Sequence, residues 1–493
     1  MPFNDLREYM DKLEEEGDLQ HIGTEVDWNL EVGAIIRRCY DLRAPAPLFE
    51  NIKGYPKGFR LLGAPVAASS RPGGLYARIA LAMGLPPDSP VAALIEEIVK
   101  TYSLKPQKPR LVASGPCKEN ILVGDEVDLL RFPVPFIHEH DGGRYMGTWD
   151  VVVTRDPDSS WTNWGLYRLM VHDRNTLGGL IIPSQHIGMH YYTKYEARGR
   201  PMPFAVALGT EPLSTMIASA ATPDGVDEAD IVGAMRGSPV EVVKCETVDL
   251  EVPATAEIVI EGEVLPQTRR EEGPFGEYSG YQAPAHDPKP VYKVSAITYR
   301  HDPILPVVCP GVPMDDHLWM CITVAADVLH NLRTQGHPVK GVFVPPAGAQ
   351  HIIVISVENR DVDTVRAVAE AVWAAKSGHH IPKIMVVDED IDPYDMDQVF
   401  WAFSTRNHPG PGIQKRAESP AFPLWAFLPP EEKVDRTTTR VIFDCTWPRD
   451  WPRDYVPRKA SFDSLWPQEV QQRVLENWNQ YGYKTPPRHQ ASP

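Results

Sequence analysis

The feature that most constrains the fold is a long central stretch in which strand patterns follow one another with few helices between them. From residue 132 onwards, apolar runs rich in β-branched residues recur, separated by Gly, Pro, Asn and Asp. The predicted strands are 148–154, 165–172, 204–208, 241–245, 256–260 and 291–299, with helical inserts near 185–198 and 227–235. Many consecutive strands with few helices indicate a curled sheet or a barrel.

The segments on either side of this stretch show helical periodicity. Before it we expect helices over 4–16 (with Asn4 as the cap), 30–40, 75–83 and 90–102, and a strand at 47–50. After it, a long apolar helix at 317–332 precedes a strand–helix–strand–helix alternation over 352–357, 362–375, 383–387 and 396–405. A last amphipathic helix at 467–481 would suit docking on a neighbour. Together with the apolar helix at 317–332, it offers more apolar surface than one small α/β domain needs, so we expect a homo-oligomer interface from residue 317 onwards.

A chain of 493 residues is too long for one core, so we expect a multidomain α+β and α/β protein. The predicted parts are an N-terminal α/β region, a central β-domain, a linker helix, a C-terminal α/β domain, and a docking helix with a tail. Their boundaries are 1–115, 116–316, 317–333, 334–460 and 461–493.

Composition excludes several classes of protein. The net charge of −17 argues against nucleic acid as the main partner. The six cysteines form no C-x-x-C pair, which favours free thiols in a reducing compartment. The acidic N-terminus is unlike a signal peptide, and no apolar run approaches the roughly 20 residues of a membrane span. We therefore expect a cytoplasmic protein.

The segment 161–188 carries polar groups that a plain core strand would not. Asn163, Arg168, His172 and Asp173 interrupt its apolar alternation, and Ser184 is placed to cap a helix with His186 in its first turn. Free backbone N–H groups at a helix start favour anions. The segment therefore predicts a phosphate or metal–phosphate pocket.

Asn163, His186 and Glu228 form a possible set of metal ligands. Glu228 lies just inside a predicted helix that Asp227 could cap. An amide, an imidazole and a carboxylate without a thiolate suit Mg²⁺ or Mn²⁺ better than zinc. From spacing alone, a capped helix with a solvated acid explains Glu228 equally simply.

Two further groups could carry chemistry. Gly and Pro force an irregular turn between Glu272 and Glu277, so both carboxylates could meet one arginine, one of them delivering a proton. Lys376 follows a predicted helix and precedes His379 and His380. The alternatives are a solvated acidic turn and a surface lysine. No P-loop, G-x-S-x-G or H-E-x-x-H motif is present.

Taken together, these segments resemble the UbiD family of reversible decarboxylases, in the branch of ferulic acid and pyrrole-2-carboxylate decarboxylases. The matching segments, in order, are G-P-C-K-E-N at 115–120, F-P-V-P at 132–135, T-N-W at 162–164 with Arg168, I-P-S-Q-H-I at 182–187, P-D-G-V at 223–226 with Glu228, E-G-P-F-G-E at 272–277, D-I-D at 390–392 and W-A-F-S-T-R at 401–406. Many blocks in the right order make the resemblance specific.

The resemblance implies a central split β-barrel similar to flavin reductases, and a prenylated FMN held through Mn²⁺ or Mg²⁺ with K⁺ nearby. It implies Asn163, His186 and Glu228 as metal ligands, and Arg168, Glu272 and Glu277 as the catalytic residues. The cofactor contacts would be the metal ligands with Trp164, Arg168, Gln185 and Lys376. The substrate pocket would be Ile182, Gln185, Tyr278, Met320, His380, Phe422 and Leu424.

The implied function is reversible decarboxylation of an aromatic, heteroaromatic or α,β-unsaturated acid, releasing CO₂. A flavin prenyltransferase would supply the cofactor, and the chain would form a dimer or a higher homo-oligomer. Tyr278, Met320 and His380 stand where ferulic acid decarboxylase has Met, Ile and Thr, so its cinnamic acid specificity does not carry over. The polar replacements favour a hydroxylated or N-heteroaromatic acid. The alternatives are a non-catalytic partner or chaperone subunit and an FMN-dependent reductase.

Overall fold

The computed structural model describes residues 3–282, 287–422, 424–452 and 454–484 of the chain. The N-terminal part begins with a helix whose apolar face (Leu6, Tyr9, Met10 and Leu13) is buried as predicted. Its cap is Asp5 and not Asn4, because the Asp5 carboxylate accepts a hydrogen bond from the Glu8 backbone N–H at 2.9 Å. The elements of this part are α1 (Leu6–Glu15), β1 (Leu19–Ile22), α2 (Glu31–Leu42), β2 (Ala46–Phe49), β3 (Arg60–Gly63), α3 (Ala77–Ala82), α4 (Val91–Thr101) and β4 (Arg110–Leu111).

The central part is rich in strands, as the sequence predicted. Its strands are β5 (Asn120–Val123), β6 (Arg144–Gly147), β7 (Asp150–Arg155), β8 (Thr162–Gly165), β9 (Leu169–Asp173), β10 (Thr176–Gly179), β11 (Met202–Leu208), β12 (Glu241–Lys244), β13 (Glu251–Pro253), β14 (Ile258–Glu272), β15 (Asp287–Tyr299) and β16 (Ile304–Val307). Its α-helices are α5 (His186–Gly188), α6 (Pro212–Ala218) and α7 (Glu228–Arg236).

One long antiparallel sheet forms the centre of the molecule as a curled half-barrel. Its strand order is β6-β9-β10-β15-β14-β11-β7-β8, with β5 paired to β15. In β7, Val151 and Val153 belong to one buried hydrophobic cluster, and Val152, which points to the other face, belongs to a second one. Both faces of the sheet are therefore covered, which explains the nearly continuous apolar runs of its strands.

Two smaller sheets tie the central part to the N-terminal part. β16 pairs in parallel with β3 and completes the sheet β1-β2-β3-β16. β4 pairs in parallel with β12 in the sheet β13-β12-β4. These pairings join residues far apart in the sequence, so periodicity did not predict them.

Two predictions within 161–188 were wrong in detail. The predicted strand 165–172 is interrupted at 166–168, because Leu166 N donates to Ala218 O (3.2 Å) and Tyr167 N to Asp150 Oδ1 (3.4 Å) instead of to a neighbouring strand. Ser184 is not a helix cap. Gln185 occupies that position without a side-chain hydrogen bond, and the short α5 continues as a π-helix over Met189–Tyr195. His186 does lie in the first helical turn, as predicted.

The C-terminal part confirms the predicted strand–helix alternation and adds strands to it. Its sheet has the order β17-β18-β19-β21-β20, and β18, β19 and β21 run parallel. The elements are α8 (Leu318–Thr334), β17 (Val339–Phe343), β18 (Ile352–Val357), α9 (Thr364–Ala374), β19 (Lys383–Asp388), α10 (Met396–Arg406), β20 (Ile413–Pro420), α11 (Pro430–Asp435), β21 (Thr437–Cys445), α12 (Phe462–Leu465) and α13 (Gln468–Glu476).

The two helices expected to offer spare apolar surface differ. α8 is buried along most of its length and packs against α4, α9 and β17, so its apolar residues are used within the chain. The expectation that α8 presents apolar surface to a partner was therefore wrong. α13 has only exposed or half-buried side chains; its Leu475 is 43% exposed, and Trp466, just before the helix, is 51% exposed. Among the helices of the described residues, none has the length and apolar character that crossing a bilayer requires.

Candidate active site

A cavity of about 460 Å³ lies between the curled sheet and the C-terminal part, and it gathers nearly all the predicted site residues. We call it the inner cavity. All the predicted substrate-pocket residues line it: Ile182, Gln185, Tyr278, Met320, His380, Phe422 and Leu424. Asn163, Trp164, Arg168, His186, Glu228, Glu277 and Lys376 line it too. Glu272 is fully buried and reaches the site through Arg168.

Arg168 links the two glutamates in the cavity wall. Its Nε and Nη2 donate to Glu272 Oε1 and Oε2 at 3.0 and 2.7 Å, a bidentate pair, and its Nη1 donates to Glu277. Tyr145 also donates to Glu272 Oε1, at 2.8 Å. The interruption between β8 and β9 directs Arg168 to this point. Glu272 therefore accepts hydrogen bonds from two of the three guanidinium nitrogens, and Glu277 accepts one from the third.

The environment of Glu277 favours its neutral form. Burial raises the pKa of Glu277, and together with the nearby Glu272 it outweighs the lowering effects of Arg168 and His317. Burial by itself would lower the pKa of Arg168, but Glu277 and Glu272 raise it, so the guanidinium stays charged. The cluster therefore holds one fixed cation beside a carboxyl that keeps its proton to a higher pH than a glutamate in water.

The predicted metal ligands converge in another part of the cavity wall. His186 Nδ1 lies 3.1 Å from Asn163 Oδ1 and 3.6 Å from Glu228 Oε1, and all three residues are buried. Adjacent ligands of an octahedral ion with bonds of about 2.1 Å are about 3 Å apart. Glu228 Oε2 accepts from Trp164 N at 2.8 Å, and Thr222 donates to Oε1. The donors and their spacing fit a hard divalent cation.

Outer contacts orient these ligands. His186 Nε2 lies 3.0 Å from Asp224 Oδ1, on the side of the ring away from Asn163. Lys376 Nζ lies 2.6 Å from His186 Nε2 and donates to Thr222 O and Asp224 Oδ1 at 2.7 and 2.9 Å. Lys376 is thus part of the site and not an isolated surface residue. The sequence did not indicate Thr222 and Asp224 as individual contacts, although Asp224 lies within the P-D-G-V segment and Thr222 directly precedes it.

The structure also brings His317 to the cavity, which the sequence did not suggest. Its imidazole contacts the fully buried Asp315, and its ring stacks on Tyr278 with centroids 5.5 Å apart. Burial would lower the pKa of His317, but Asp315 and Glu277 raise it. In the sequence, the D-D-H segment at 315–317, just before α8, was the only feature that could have indicated a functional role for His317.

His380 and Tyr278 give the predicted substrate pocket a polar character. Burial, with His379, Arg440 and Lys376 nearby, lowers the pKa of His380 to about 4, so its imidazole is neutral. Within the described residues, the buried His380 Nδ1 and Gln185 Oε1 have no hydrogen-bond partner. Unpaired buried polar atoms are costly, which is consistent with their serving a ligand.

A curled sheet beside a cavity whose wall holds a buried Arg–Glu–Glu cluster and a group of donors suited to a hard cation is typical of an enzyme active site. Sequence comparison identifies the family. Three consecutive segments match the N-terminal, Rift-related and C-terminal domains of 3-octaprenyl-4-hydroxybenzoate carboxy-lyase, at residues 10–98, 110–313 and 317–445. The chain belongs to the UbiD family of carboxy-lyases.

Similar proteins have been named for particular acids. Pyrrole-2-carboxylic acid decarboxylase of Pseudomonas aeruginosa is 40% identical, over 97% of this chain and 98% of its own length. Ferulic acid decarboxylase 1 of Saccharomyces cerevisiae is 34% identical, over 98% and 99%. The UbiD-class enzyme HmfF of Pelotomaculum thermopropionicum in complex with FMN superposes with a TM-score of 0.80 at 32% identity, covering 93% and 97% of the two chains. An evolved dimeric form in complex with prenylated FMN gives 0.76 at 33% identity, covering 92% and 97%.

Proposed function

We propose that the chain is a prenylated-FMN-dependent carboxy-lyase that acts reversibly on an aromatic, heteroaromatic or α,β-unsaturated carboxylic acid. The observation that carries the proposal is the buried cluster in which Arg168 contacts both Glu272 and Glu277 in the wall of the inner cavity. A cavity of about 460 Å³ is within the ~300–1,000 Å³ range of cofactor and ligand sites.

In this proposal Arg168 orients the substrate carboxylate. The Glu272 carboxylate fixes two guanidinium nitrogens, and Tyr145 holds that carboxylate in turn. When Glu277 is protonated, Arg168 and Glu272 form a neutral pair, and the remaining N–H groups of Arg168 can bind the incoming anion.

Glu277 is the proposed proton donor. Replacing CO₂ by hydrogen consumes one proton for each carboxylate, so a neutral acid must lie beside the carbon that loses CO₂. Burial raises the pKa of Glu277, which supports this role. In the carboxylation direction, the Glu277 carboxylate takes the proton back.

The cofactor end of the cavity would hold the flavin through its phosphate. Asn163, His186 and Glu228 would hold Mn²⁺ or Mg²⁺ there, with Trp164, Gln185 and Lys376 as further contacts. When bound, prenylated FMN supplies the electron sink that carbon–carbon cleavage at an sp² carbon requires. A nearby K⁺ is included through the family resemblance alone.

We propose an N-heteroaromatic or hydroxylated acid as the substrate. The neutral His380 with its unpaired Nδ1 and the Tyr278 phenol would hydrogen-bond a ring N–H or hydroxyl. The 40% identity to an enzyme named for pyrrole-2-carboxylate agrees with this choice.

We also propose how the chain is divided and how it assembles. It would consist of the five parts predicted from the sequence, with boundaries after residues 115, 316, 333 and 460. The chain would form a homodimer or higher oligomer through its C-terminal half, in which Trp466 and Leu475 are exposed. A flavin prenyltransferase would be the source of its cofactor.

Co-expression with a flavin prenyltransferase tests the proposal. We expect the purified protein to carry a flavin of prenylated mass and to release CO₂ from at least one acid of a panel of pyrrole-, indole-, phenol- and acrylic-type acids. Retention of the flavin without CO₂ release or H/D exchange would favour a non-catalytic subunit. Oxidation of NAD(P)H by an FMN-loaded protein would favour a reductase.

A further inference from the structure

A second cavity, of about 590 Å³, adjoins the inner cavity on the side of the C-terminal part. We call it the outer cavity. Glu277 and Leu424 line both cavities, so these side chains stand at the boundary between them. The rest of the outer wall comes from the segments around Tyr281, His351 and Phe427, and from Lys433 on α11.

Aromatic rings form a continuous row from the outer cavity to the inner one. The ring centroids of Phe427 and His351 are 6.1 Å apart, those of His351 and Tyr278 are 6.3 Å apart, and those of Tyr278 and His317 are 5.5 Å apart. Phe427 also stacks on the buried Trp425 at 5.6 Å, yet it keeps 47% of its surface exposed. A fixed, half-exposed ring in a cavity offers an aromatic ligand a stacking surface.

A lysine lines this opening, although the protein as a whole is acidic. The chain carries a net charge of −17, which disfavours the approach of a carboxylate. Lys433 lines the outer cavity, and Lys383 Nζ lies 4.6 Å from the centroid of the Phe427 ring. Glu431 and Glu432 of α11 are not part of the cavity wall. Among the described residues that line it, the outer cavity thus combines one cation, Lys433, with an exposed aromatic ring, and the one carboxyl in its wall, Glu277, lies at the boundary with the inner cavity.

We propose that the outer cavity is a binding subsite for an aromatic carboxylate, occupied before the ligand passes Leu424 and Tyr278 into the inner cavity. The ligand ring would lie against Phe427 and its carboxylate near Lys433. The identity of the ligand rests on the proposed function; the subsite itself rests on the two adjoining cavities, the row of rings and the lysines.

The test measures association without catalysis. Full-length, flavin-free protein is mixed with pyrrole-2-carboxylate or cinnamate in a stopped-flow instrument, and quenching of tryptophan fluorescence gives the association rate constant. We expect Lys433→Glu to lower this constant for the acids about tenfold at 10 mM salt, and the difference to vanish near 0.5 M salt. The neutral amides of the same acids should be unaffected.

Two variants complete the design. Lys57→Glu changes the net charge equally, at an exposed position of the N-terminal part, and should leave association unchanged within about twofold. Phe427→Ala removes the stacking surface and should slow the association of acids and amides alike. Any of three results would overturn the subsite. The first is an association rate constant of Lys433→Glu equal to that of the wild type, and the second is an equal decrease of that constant in Lys57→Glu. The third is failure of both acids to bind the wild type. CO₂ release by the wild type, measured separately, reports on the proposed function.

Discussion

Replacing Glu277 by Gln tests the proton donor most directly. The amide is nearly the same size and its oxygen can still accept from Arg168 Nη1, so the contact with the guanidinium is preserved. What is lost is the acidic proton. We therefore expect flavin occupancy to be unchanged while decarboxylation falls at least 10²-fold, about 2.7 kcal/mol of transition-state stabilisation.

The pH dependence follows from the raised pKa of Glu277. In the proposed mechanism the protonated form is the active one, so wild-type kcat/KM should be high at low pH and fall as pH rises through a pKa above the ordinary value of glutamate. The same sign holds for stability. A carboxyl whose pKa is raised on folding stabilises the protein below its unfolded pKa, and this contribution is lost as pH rises through the folded pKa. Glu277→Gln should abolish the fall of kcat/KM with rising pH. It should also make the melting temperature less dependent on pH.

The assay combines CO₂ release with exchange of the product C–H in D₂O, over a range of pH. Glu271→Gln is the matched control, because it changes an exposed neighbouring glutamate and should behave as wild type. Near-wild-type exchange or decarboxylation by Glu277→Gln would refute Glu277 as the donor. An equal loss of decarboxylation and exchange in Glu271→Gln would show that a change of local structure, and not the loss of the acidic proton, lowers the activity.

Three further outcomes are expected. Glu228→Gln removes a charged ligand from the set with Asn163 and His186 and should purify with much less metal and flavin; full flavin occupancy after exhaustive chelation would contradict the metal role. His380→Thr should reduce kcat/KM for pyrrole- or phenol-type acids about tenfold or more relative to cinnamate, and a wild-type preference for cinnamate that the variant keeps would show that His380 does not set the choice. Leu475→Glu should weaken the homo-oligomer in sedimentation velocity at micromolar concentration, whereas a monomeric wild type would refute the predicted assembly.

Local patterns determined much of the architecture. Apolar runs rich in β-branched residues predicted β7, β9, β11 and parts of β14 and β15 of the curled sheet, and helical periodicity predicted α1, α8, α9 and α10 within a few residues. The runs work as a signal because a strand covered on both faces buries nearly every side chain, whereas a helix buries one face about every 3.6 residues. The matching order of several motifs also identified the family before any distance was known.

Tertiary structure decided how far-separated residues meet. Nothing in the local sequence shows that β16 completes the sheet of β3, or that the strand predicted at 165–172 is interrupted so that Arg168 meets Glu272 and Glu277. The same holds for His317, which Asp315 and Tyr278 hold at the cavity, and for the burial of α8. Periodicity reports which face of an element is buried but not which element covers it. The pKa of Glu277 is likewise a property of the folded chain, because it depends on burial and on charges brought near by distant residues.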